Sequence, residues 1–72
     1  MDSTQSALER TIAALLVQAR SMSGERDLDA IRRLVHELRA CATRAKAARL
    51  VFSEQQLTQA ASSLEAKLAY GI

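Results

Sequence analysis

Apolar residues recur along the first third of the chain at alternating spacings of four and three: Leu8, Ile12, Leu15, Ala19 and Met22. That spacing is a heptad seam and predicts an amphipathic helix, helix A, over about residues 4–22. Ser6 with Glu9 three residues on reads as a capping box at its start, and Ser3 offers an alternative cap one turn earlier. Ser23-Gly24 is its expected stop, because glycine can take the left-handed position that ends a helix. A linker over residues 23–26 is short, so helix B, over about 27–49, is expected to fold back on A as an antiparallel hairpin.

Asp27 is the expected N-cap of helix B, with Asp29 in its positive first turn. The seam of B is Leu28, Ile31, Val35, Leu38, Ala42 and Ala45, and a parallel row of Leu34, Leu38, Cys41, Ala45 and Ala48 widens it. Two adjacent rows exceed what one neighbouring helix covers. Large side chains fill the first half of B and alanine and cysteine the second, so a neighbour can approach the second half closely. No glycine or proline marks the end of B. Ser53 with Gln56 makes a second capping box, Phe52 and Leu57 hold the two positions of a hydrophobic staple, and helix C is therefore placed over about residues 53–70. Leu57, Ala60 or Ala61, Leu64 and Leu68 form its seam, Lys67 suits the negative end of its dipole, and Gly71 stops it. The expected fold is all-α: a helical hairpin with a third helix packed on it, one small three-helix bundle over residues 1–72.

Composition sharpens this picture in one respect. A chain of 72 residues buries only roughly 60% of its extended surface, so its core alone is marginal. A single cysteine, Cys41, and a single histidine, His36, leave no disulfide framework and no Cys/His metal site to compensate. Self-association or a helical protein partner remains, as a homodimer or a hetero-oligomer. The residues expected at that surface are Leu34, Cys41 and Ala48 from the surplus row of B, with Leu16, Phe52 and Leu57 beside them. A net charge of +2 implies no polyanionic partner, and Phe52 and Tyr70 alone make no stacking platform, so nucleic acid is not expected. The longest apolar run, residues 12–17, is too short to span a membrane; with an unpaired cysteine and no leader-like start it suggests a soluble cytoplasmic protein. Acidic residues occur singly and Cys41 has no expected base beside it, so no catalytic residues and no cofactor are expected.

One local feature suggests chemistry. His36 falls in line with Arg32, Arg39, Thr43 and Lys46 on an exposed basic face, where an imidazole could accept a phosphoryl group with Arg39 one turn away to neutralise it. The stretch from His36 through Arg39 to Ala40-Cys41-Ala42 resembles the phosphoacceptor helix of histidine phosphotransfer domains. That resemblance implies His36 as phosphoacceptor and Arg39 as the phosphate-neutralising cation. The other reading is a solvated helix face with an incidental histidine.

A second resemblance covers the whole chain. The seam Leu8-Ile12-Leu15-Ala19-Met22, the Ser23-Gly24 turn and the seam Leu28-Ile31-Val35-Leu38 make a proline-free helical hairpin with an apolar face. In this it resembles the small co-chaperones of bacterial type III secretion needle subunits. The resemblance implies a non-enzymatic cytoplasmic chaperone that works with a larger chaperone to cover the needle subunit's polymerising helix.

Overall fold

The computed structural model describes residues 3–70, with side chains from residue 6 onward. It contains three α-helices: α1, Ser3–Ser21; α2, Leu28–Ala47; and α3, Val51–Tyr70. A short 3-10 turn, Met22–Gly24, follows α1. Short connections reverse the chain twice, so α2 runs antiparallel to both neighbours and α1 lies parallel to α3. The bundle is a rod of 43 × 16 × 15 Å, a shape that gives a core one side chain thick along its length.

Among the described residues, the core is a line of thirteen buried side chains. It takes Leu8, Ile12 and Leu15 from α1, Leu57, Ala61 and Leu64 from α3, and the other seven from α2. Both apolar rows of α2 are therefore covered, one helix on each side, and the surplus expected from the sequence is used by the chain itself. Leu34, Cys41 and Leu57 lie in this core, not at an outer surface, because α1 and α3 pack on the two flanks of α2, Cys41 lying beside Leu15 of α1, and Leu57 belongs to the buried seam of α3 itself. Leu28, placed in the seam by its spacing, is 47% exposed at the first turn of α2. The packing is closest between α2 and α3, where Ala42, Ala45 and Ala61 keep little side-chain volume between the axes.

The first turn follows a different route from the one expected. Gly24 does not adopt the left-handed conformation, and a Cβ there would meet nothing within 4 Å. The 3-10 turn closes α1 instead, with Glu25 N–H donating to Met22 O at 3.0 Å. The Glu25 carboxylate then accepts from the amides of Arg26 at 2.9 Å and Asp27 at 3.0 Å. Asp27 caps α2 as expected, accepting from Asp29 N–H at 3.0 Å and Ala30 N–H at 3.3 Å. Lys67, expected to serve its own helix, reaches across to the end of α1 and donates to Met22 O at 2.5 Å and Ser23 O at 2.7 Å. A cation on those carbonyls offsets the negative pole of α1 and fixes the register of α3 against it. Ser6 sits inside α1, so the Ser6/Glu9 pair marks no helix start; the Ser3 side chain and Gly71 lie outside the described residues.

The second turn explains why no glycine was needed to separate α2 from α3. Arg49 has φ 63°, the left-handed conformation usually left to glycine. Its N–H donates to Lys46 O at 3.0 Å, and Leu50 N–H donates to Ala45 O at 2.8 Å. These two bonds form a Schellman motif, with Leu50 folding its side chain back onto the core. The Leu50 carbonyl then accepts from Glu54 N–H at 2.9 Å, so α3 starts at Val51, two residues before the expected Ser53. Ser53 is thereby already helical, and Phe52 points away from Leu57 at 71% exposure, so neither the capping box nor the staple forms. Holding a non-glycine residue left-handed costs about 1–2 kcal/mol, part of which glycine's greater freedom in the unfolded chain would cancel. Arg49→Gly is expected to stabilise the fold by about 1 kcal/mol, a rise in Tm of about 4–8 °C in a domain this size. A thermal melt followed by circular dichroism measures it, and an unchanged or lower Tm would contradict the left-handed assignment.

Candidate functional site

The residues singled out in the sequence do not converge on one surface. Leu34, Cys41 and Leu57 are interior. Ala48 and Phe52 are exposed at the corner between α2 and α3, and Leu16 is half-buried midway along α1. Lys67 aligns α3 with Met22, and at 1.5 Å per residue Phe52 and Leu16 are about 13 Å apart along the rod.

Leu16 leads instead to a groove that sequence reasoning missed. Between α1 and α3 lies an open cleft of about 300 Å³, floored by Leu16, Ala19, Ala60 and Leu64 and edged by Arg20, Gln56, Gln59 and Ser63. Its width comes from sequence: α1 and α3 both turn their main seams toward α2, and the alanines at 19 and 60 leave the space between them shallow and apolar. Uncharged amides and a hydroxyl border the α3 side, while Arg20 supplies the cation on the α1 side. Part of the signal was present one position after the seam residues Leu15 and Ala19, where Leu16 and Arg20 fall on the face beside Ala19.

Two further clefts differ in character. One between α2 and α3 is polar, with Arg39, Thr43, Lys46, Glu54 and Thr58 around Ala42. Another between α1 and α2 has Thr11, Glu37 and Arg44 at its mouth and Leu15 and Cys41 at its base. Burial pushes the Cys41 thiol above its ordinary pKa and outweighs the opposite pull of nearby Arg44, so the thiolate is scarce. Cys41 thus behaves as a small hydrophobe in the core.

His36 is exposed on α2, as its spacing predicts. Arg39, which the phosphotransfer resemblance assigns to phosphate, is turned instead to an ion pair with Glu65 on α3. Both partners are about half exposed, so the pair contributes about 0–1 kcal/mol and mainly helps to align α2 with α3. Among the described residues, no group of three or more His, Cys, Asp or Glu side chains could hold a metal ion, and no helix is long and apolar enough to cross a membrane.

Fold and cleft together define a small up-down-up three-helix bundle with an apolar groove between its first and third helices. No protein-family model, no curated protein and no solved structure matches the chain.

Proposed function

We propose that the chain is a non-enzymatic helix-binding module that takes an amphipathic helix of a partner protein into the groove between α1 and α3. The observation that carries this reading is the groove itself, with an apolar floor of Leu16, Ala19, Ala60 and Leu64 and an almost uncharged border. A fourth helix laid there would cover these side chains and complete a four-helix arrangement, the way amphipathic peptides enter hydrophobic grooves. The resemblance to secretion co-chaperones supplies the kind of partner: a needle component of a bacterial type III secretion system, held in the cytoplasm before export. In the phosphotransfer alternative Arg39 would have to exchange its half-exposed pairing with Glu65 for the phosphoryl group on His36.

Co-expression with a type III needle subunit tests the proposal. The chain is expected to co-purify with the subunit and keep it from polymerising. Leu16→Glu combined with Ala60→Glu is expected to abolish capture while leaving the helical circular dichroism signal intact, because neither residue is fully buried. Capture at wild-type strength by the double variant would place the partner elsewhere, and no capture by the wild-type chain would remove the proposed client.

A further inference from the structure

A second feature of α1 suggests what meets this helix before any client arrives. One residue beyond the buried seam of α1 runs a second row with the same alternation, Glu9, Ala13, Leu16 and Arg20. Glu9, Ala13 and Arg20 are exposed and Leu16 is half-buried, so the row forms a strip alongside the groove. Opposite charges stand at its ends, with a small and a large apolar residue between them.

The order of that strip is self-complementary. The positions are symmetric about the midpoint between residues 14 and 15, so an antiparallel copy of α1 sets Glu9 against Arg20, Ala13 against Leu16, and the same pairs again in reverse. A two-fold axis through that midpoint makes both halves of the contact identical, as an isologous interface requires. Each Leu16 meets the small Ala13 of the other copy, a large residue facing a small one, and Val17, 63% exposed, borders the same strip. A parallel copy would set Glu9 against Glu9 and Arg20 against Arg20, so charge selects the antiparallel arrangement. Glu9 already has an interaction within its own chain, and a carboxylate with two oxygens can accept a further one.

We propose that the chain forms an antiparallel homodimer through the α1 strip, with Glu9 of each copy paired to Arg20 of the other and Leu16, which lines each groove, set against Ala13 of the other copy. Self-association and client capture then both use Leu16. The dimer is independent of which client enters, because its test contains none.

Sedimentation velocity on the purified full chain tests it. A dimer is expected at high-micromolar concentration. Glu9→Arg and Arg20→Glu, each made alone, turn two attractive pairs into two repulsive ones and are expected to weaken dimerisation about tenfold or more. Mixing the two single variants restores all the pairings across a heterodimer, and the double variant restores them in a homodimer, so both are expected to sediment as dimers. These are exposed charges on a helix, and helical circular dichroism is expected to stay at the wild-type level in every variant. A wild-type monomer at high-micromolar concentration would overturn the proposal. So would single variants that dimerise as the wild type does, or a mixture that fails to recover.

Discussion

Replacing Leu57 by alanine is expected to destabilise the bundle by about 2–5 kcal/mol, and replacing it by glutamate is expected to unfold it. Leu57 is fully buried, with Ile31 and Leu38 one of three large side chains without solvent exposure among the described residues. It packs where α3 meets the two-row face of α2, and its loss leaves a cavity that a rigid helix pair cannot close. At about 0.05–0.15 kcal/mol per residue, a chain of 72 residues holds only about 4–11 kcal/mol in total. The alanine variant therefore loses a large share of its stability. A carboxylate at that position has no cation or buried donor to receive it and exceeds what remains. Urea denaturation followed by circular dichroism measures the first, and the spectrum in buffer the second. A cost below about 1 kcal/mol for Leu57→Ala is what an outward-facing partner residue would show, and it would contradict the burial.

The helical class and most of the core were legible because period and spacing report burial directly. Leu8, Ile12 and Leu15 on α1 and the two rows of α2 between Ile31 and Ala45 are buried as their periodicity implies, and Asp27 caps α2 through the two amides a capping carboxylate reaches. What periodicity does not report is the identity of the covering surface. Leu34 and Cys41 read as surplus because a pair of helices needs only one row, but with α3 on the other flank both rows are consumed. The small residues in the second half of α2 did indicate close approach, and the neighbour that approaches is α3.

The turns were less legible, for two separate reasons. A Schellman motif needs a left-handed residue and two backbone bonds, and Arg49 supplies them without the glycine that would have marked the site. The anchoring of α1 by Lys67 is a contact across 44–45 residues, set by how α3 lies along the bundle and absent from any local pattern. Gly24 shows the converse: a helix-ending glycine in the sequence that the chain does not use as one. The groove belongs to the same class of feature, since its floor draws on α1 and α3, which no short window brings together.

Cys41 provides the second large effect and the most direct test that the second row of α2, from Leu34 through Leu38 and Cys41 to Ala45, lies inside the bundle. The thiol is 3% exposed, and its burial disfavours the reactive thiolate. Modification then requires local or global opening, and an opening free energy of about 3 kcal/mol slows it about a hundredfold. The rate of reaction of Cys41 with an excess of an aromatic disulfide reagent, compared between native buffer and concentrated urea, is the measurement. Native protection of about a hundredfold or more is predicted. A native rate equal to the unfolded rate would put the second row of α2 at the surface and contradict the packing of α1 and α3 on its two flanks.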